Sequence, residues 1–177
     1  MMTPRAVHLV AAFLAASLFA ALPAGAQITS IAIRVDGLAC PFCAFSLEKK
    51  IRAVEGTKEP VINIEQGVVT LTPLGDVSID FDDLREAVTN AGFTPRDISV
   101  EGIGRLAMIA ERPILVAEGG RQLFRLAPND VLARLQADAE HIVTFSGTVI
   151  TRKHDDDTSL WTLTLLSAVP RIQGDVN

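Results

Sequence analysis

The sequence predicts an α+β chain built from two successive units, and three observations carry that prediction. Residues 28–100 show strand-period and helix-period apolar patterns in the order βαββαβ. After Val100 the pattern changes to short strands with one short helix among them. Ahead of both stands an apolar leader that reads as a targeting segment.

The leader begins with Arg5, continues through an apolar run over residues 7–22, and closes on Pro23 and the small residues Ala24-Gly25-Ala26. A basic start, a short apolar core and an Ala-x-Ala exit describe a secretory signal peptide over residues 1–26, with cleavage expected after Ala26. The apolar run is shorter than the about 20 residues that a membrane-spanning helix needs. No cysteine follows the exit, so the expectation is a periplasmic or secreted protein with no membrane anchor after cleavage.

The first unit is expected over residues 27–101. Residues 28–35 alternate, with Ile31, Ile33 and Val35 on one face, as a half-buried strand requires. Asp36-Gly37 breaks it. Pro41 suits the first turn of a helix, where its missing N–H costs nothing. That helix is expected to run to about Val54, with Ala44, Leu47, Ile51 and Val54 on its buried face, and Gly56 ends it. Residues 61–65 and 68–72 read as two strands joined by a two-residue hairpin at Gln66-Gly67. Asp80 can cap a second helix that buries Phe81, Leu84, Val88 and Ala91 and stops at Gly92. Residues 93–100 supply the last strand. This order is that of the ferredoxin-like split βαβ unit.

The second unit is expected over residues 102–172, with residues 101–104 as linker or strand-to-strand turn and residues 173–177 as a tail. Residues 105–110, 113–117 and 122–126 read as strands, with Glu118-Gly119-Gly120 a turn. A helix is expected over residues 128–137, and strands over 142–150 and 160–167 are joined by a polar loop at residues 153–157. Three strands, a helix and two strands is the order of a small OB-like β-barrel. Phe124, Phe145 and Trp161 are assigned to its core. His154 with Asp155, Asp156 and Asp157 reads as a solvated loop tip and His141 as structural. A scaffold or docking role is the simplest one for this unit.

Charge narrows the function. With 16 Lys and Arg against 21 Asp and Glu, the formal charge is −5. Phosphate binding is driven by Lys and Arg, so nucleic acid is not an expected partner. The chain has two cysteines, both in Cys40-Pro41-Phe42-Cys43. A bridge across that spacing closes so short a loop that it removes little entropy from the unfolded chain. The pair is there for chemistry, and its thiolates favour soft ions over Mg²⁺ or Ca²⁺.

The run Asp36-Gly37-Leu38-Ala39-Cys40-Pro41-Phe42-Cys43, followed by Leu47-Glu48-Lys49-Lys50-Ile51, resembles the heavy-metal-associated domain family. That family carries a G-M-x-C-x-x-C loop leading into a helix, and includes copper chaperones, the periplasmic mercuric-ion-binding protein and modules of metal-pumping ATPases. Ala87-Val88 and Ala91-Gly92-Phe93 resemble its second helix and the following loop, where a Gly-aromatic pair lies beside the metal. The resemblance covers residues 28–101. Leu38 stands where the family has Met, a position the family uses as an apolar plug.

The resemblance implies a chaperone or scavenger that holds one soft ion between Cys40 and Cys43 and passes it to a membrane metal transporter or another metal-binding protein. Two evident ligands fall short of the four of a structural zinc site. Cu(I) is therefore the first expectation, with Hg(II) or Zn(II) as others. No catalytic residue is expected, and the protein is read as a non-enzyme. Two alternatives use the same pair. Cys-Pro-Phe-Cys also looks like the dithiol of glutaredoxin-like thiol-disulfide oxidoreductases, with Thr72-Pro73 the one candidate for their proline loop. An interaction or docking module with a resting disulfide is the third reading, in an oxidising compartment. Phe42 and Phe45 fall off the buried stripe, and are expected either to shield the metal or to form a contact patch.

Overall fold

The computed structural model describes residues 27–74, 77–117, 121–135, 142–150 and 160–171. The expected signal peptide, the expected turn at Glu118-Gly119-Gly120, His141, the expected polar loop with His154 and Asp155–Asp157, the end of the third expected helix and the expected tail lie outside these residues.

The first unit has the expected order. Strand β1 (Gln27–Asp36) leads to helix α1 (Pro41–Ile51), followed by strands β2 (Val61–Asn63) and β3 (Val68–Leu71), helix α2 (Phe81–Asn90) and strand β4 (Thr94–Ile109). Alternation in β1 places Ile31, Ile33 and Val35 in the core. β1 pairs antiparallel with β3 on one side and β4 on the other. α1 buries Ala44, Leu47 and Ile51. It ends before Val54, where Thr57 Oγ1 donates to the carbonyls of Ile51 and Val54 and satisfies acceptors left open at the helix end. α2 starts as expected, with the Asp80 carboxylate accepting from the Asp82 N–H.

Two local details differ from the sequence reading. Asn63 pairs with Val68, so the β2–β3 turn spans residues 64–67 rather than two residues. Asn63 Oδ1 accepts from the Gln66 N–H and Gly67 takes the positive φ that closes the turn. Residues 101–104, expected as a linker or turn, lie inside β4, which runs unbroken for 16 residues. Gly102 and Gly104 mark close approach, not a break. A Cβ on Gly102 would come within 2.4 Å of the Gln27 carbonyl oxygen, and one on Gly104 within 2.8 Å of the Leu115 side chain.

Strands β5 (Arg112–Ala117) and β6 (Gln122–Leu126), helix α3 (Asp130–Leu135) and strands β7 (Ile142–Ile150) and β8 (Trp161–Pro170) complete the described chain. The strand order is β2-β3-β1-β4-β5-β6-β8-β7, and a further β4–β7 pairing returns the last strand to β4. A five-stranded ring results. Its pairings are antiparallel except β6 with β8, where Phe124, Arg125 and Leu126 lie beside Trp161, Thr162 and Leu163. Phe124, Phe145 and Trp161 are buried, as expected of core residues.

Both units share one apolar cluster. Phe81, the first residue of α2, meets Phe124 at 5.9 Å between ring centroids and Trp161 edge-on at 5.3 Å. Beside them Gln122, the buried polar side chain among the described residues, accepts through Oε1 from Ser78 Oγ and the Ile79 N–H. The chain before α2 is thus tied to the start of β6 by packing and by hydrogen bonds.

Phe81→Ala is expected to cost about 3–5 kcal/mol of stability, as for other fully buried aromatic truncations. In urea, Trp161 fluorescence and far-UV circular dichroism should trace one coincident transition, because both units share the core that Phe81 joins. Two separated transitions in the unaltered protein would show that the units fold independently.

Candidate metal centre

The candidate site lies where β1 gives way to α1. Gly37 turns the chain with φ of +88°, a conformation that suits glycine. Leu38 then points inward and is buried, filling the apolar position below the motif. At the strand end, Asp36 pairs with Arg96 of β4. The hydrogen bond, and then the charge, of Asp36 hold the Arg96 guanidinium above its ordinary pKa.

Cys40 is the N-cap of α1 in extended conformation, and Pro41 takes the first helical position. Cys40 Sγ accepts from the Cys43 N–H at 3.2 Å, replacing the oxygen that Ser or Asp supplies in most caps. The two sulfurs are bonded to each other in this structure, with Cα atoms 5.3 Å apart. Both expected ligands therefore converge on one point at the positive end of α1. Reduction would place two thiols there, and the free N–H groups and dipole of the helix start favour their thiolate forms. Two sulfurs each about 2.3 Å from one ion spread to at most about 4.6 Å, so modest side-chain rotation converts the bonded pair into a ligand pair.

The surroundings add no third ligand: among the described residues no group of three or more His, Cys, Asp or Glu could hold a metal. Phe93 is half-buried, and its ring lies 3.8 Å from where a Cβ on Gly37 would be, which brings the Gly92-Phe93 loop against the loop leading to Cys40. Phe42 and Phe45 are 91% and 70% exposed, so neither belongs to the core of this chain.

Pro73 does not approach the pair. It bridges to Thr57, beyond the last turn of α1, while Cys40 caps the first. At 1.5 Å per residue, the helix separates them by about 15 Å. A glutaredoxin-like site needs its proline loop against the dithiol, and Thr72-Pro73 is at the wrong end. The sequence reading missed that Cys40 itself caps the helix. The signal was present in Cys-Pro-x-Cys, since a cap followed by proline is a common helix start.

The chain matches no protein-family model and no curated protein. Solved structures do match part of it. A CopZ metallochaperone is 19% identical, with a TM-score of 0.36, over 38% of this chain and 100% of its own. A copper binding domain from HMA7, a P-type ATPase, is 22% identical, with a TM-score of 0.35, over 38% of this chain and 89% of its own. Oxidized MerP from Ralstonia metallidurans CH34 is 23% identical, with a TM-score of 0.36, over 40% of this chain and 96% of its own. Likeness at this level lends the site no chemistry, which rests on the residues described above.

The capping geometry makes the two thiols unequal. At neutral pH the remaining Cys40 of Cys43→Ser should alkylate faster than the remaining Cys43 of Cys40→Ser, because Cys40 Sγ is the sulfur that accepts the N–H of residue 43. Iodoacetamide labelling measures both rates, and equal rates would contradict the inequality.

Proposed function

We propose that this chain is a soft-metal-binding protein, not an enzyme, that holds one ion between Cys40 and Cys43 and hands it on. The observation that carries the reading is the convergence of both sulfurs at the start of α1, with the Cys43 N–H directed at Cys40 Sγ. Such a pair offers soft anionic donors and little else, which selects Cu(I), Hg(II) or Zn(II) over hard cations. Cu(I) is the preferred ion because it accepts low coordination, whereas a closed zinc site takes four ligands. A site with two protein ligands and no enclosing cage suits exchange rather than storage. That favours a recipient such as a membrane metal transporter or another metal-binding protein.

The joined sulfurs support a condition on this function. A disulfide has no thiolate to offer, so the metal-holding state lies two electrons below the bonded one. In an oxidising compartment, which the signal-peptide reading over residues 1–26 places around the chain, the pair works only when kept reduced or loaded promptly. The same bond supports the second reading, a docking module whose cysteines rest as a disulfide. Residues 27–101 are proposed as the metal-binding unit and residues 102–172 as an OB-like barrel that acts as scaffold. The ring order β4-β5-β6-β8-β7, with α3 between β6 and β7, supports that description.

Anaerobic titration of the reduced protein with Cu(I) and with Hg(II) should saturate at one ion per chain. Cys40→Ser or Cys43→Ser should abolish stoichiometric binding, and the oxidised protein should take up none. Undiminished uptake by the oxidised protein would place the ion elsewhere.

A further inference from the structure

The chain leading into α2, the opening of β6 and the opening of β8 meet at the seam between the two units, and they enclose a cavity of about 300 Å³. That volume is at the small end of the range for ligand pockets. None of its lining residues belongs to the Cys40–Cys43 loop.

Gln122 lines the cavity although only 3% of its surface is exposed. The Ile79 N–H can only donate, so the side-chain atom it meets at 3.0 Å is Oε1, and the other terminal atom is the NH₂ group. Ser78 Oγ donates to the same oxygen at 2.7 Å. Among the described residues, the hydrogen bonds of this side chain all go to Oε1, which leaves the two N–H donors of Nε2 without an acceptor. Buried donors in that condition are costly, and an acceptor placed in the cavity relieves them.

Charge narrows what that acceptor is. Arg121, also on the cavity wall, is exposed and makes no ion pair among the described residues. Asp80 lines the cavity too, but its carboxylate accepts from the Asp82 N–H at the start of α2, where the helix dipole offsets its charge. Ile79, Leu123, Leu160 and the indole of Trp161 supply apolar lining.

We propose that this seam cavity binds a small carboxylate with a branched apolar tail. The carboxylate oxygens accept from Gln122 Nε2 and from the Arg121 guanidinium, and the tail lies against Trp161. An anion meets both donors with charge-assisted hydrogen bonds. An ammonium group would face a guanidinium and two N–H groups, so a cation is the wrong ligand. At about 30 Å³ per water, the cavity has room for about ten water-sized groups, which suits a short branched acid. The inference is independent of the soft-ion reading of Cys40 and Cys43.

The experiment titrates the full chain with isovalerate at pH 7 and follows Trp161, the single tryptophan. Emission should change saturably with one site per chain, and the thermal midpoint should rise with isovalerate concentration. Isopentyl alcohol and isopentylamine keep the tail without the carboxylate, and acetate keeps the carboxylate without the tail. Each should bind at least about tenfold more weakly. Arg121→Gln should weaken isovalerate about tenfold and leave the midpoint of the unliganded protein unchanged. Gln122→Glu keeps an acceptor for Ser78 and Ile79 but removes the amide donors, and should abolish binding. Should that variant fail to fold, Arg121→Gln decides alone. Equal binding of the acid and the alcohol, or isovalerate binding unchanged in Arg121→Gln, would overturn the proposal and leave an apolar crevice. Preference for the amine would overturn it in favour of Asp80, and no saturable change up to about 10 mM isovalerate would overturn it outright.

Discussion

The fold depends on the hydrogen bonding of β4 along both of its edges. Residues 94–103 bond to β1, residues 105–109 continue the same edge with β5, and residues 98–105 bond to β7 on the other. Backbone donors and acceptors buried away from water must be paired, and one strand of 16 residues pairs them for both units. Side chains that fill the helix-covered face of the first unit and those that fill the ring therefore lie on one continuous surface of β4. The shared core follows, with Ile98 and Val100 buried alongside Val143, Phe145 and Val149. Phe81 against Trp161 is the point where that core closes across the junction.

The candidate metal centre inherits its geometry from the same frame. β1 is held between β3 and β4, so the point at which it ends is fixed, and Gly37 with buried Leu38 redirects the chain into α1. The buried face of α1 then fixes the rotation of the helix. That rotation determines two things together: the sulfurs of Cys40 and Cys43 converge at the helix start, and Phe42 and Phe45 face solvent. Rigid placement of two donors with few other ligands would suit the capture and release proposed above. It contrasts with zinc sites that hold a fold together, where four ligands surround the ion. Here the described fold rests on its apolar core.

Much of this was legible in the sequence because the first unit is locally consistent. Alternation in residues 28–35, the apolar stripe of α1, the Asp80 cap and the glycine stops each signal their own element, and the cysteine spacing marks the candidate site. What the sequence concealed are features that depend on distant residues. Glycines at 102 and 104 resemble a linker, yet they are small because Gln27 and Leu115 press against them. Gln122 sits in a strand pattern like any polar residue, and its buried role appears only once Ile79 is beside it. The turn at residues 64–67 is longer than a Gln-Gly pair indicates, because Asn63 uses its side chain to begin it. The cap role of Cys40 is a local feature, hidden only because sulfur is an unusual capping atom.

The central claim is that Cys40 and Cys43, once reduced, become the ligands of one soft ion. X-ray absorption at the copper edge of the reduced, Cu(I)-loaded chain tests it most directly. The account predicts an inner shell of two sulfur neighbours near 2.2–2.3 Å, about the thiolate–metal distance, with that shell lost in Cys40→Ser. A shell of nitrogen or oxygen, or a sulfur shell that survives Cys40→Ser unchanged, would contradict it.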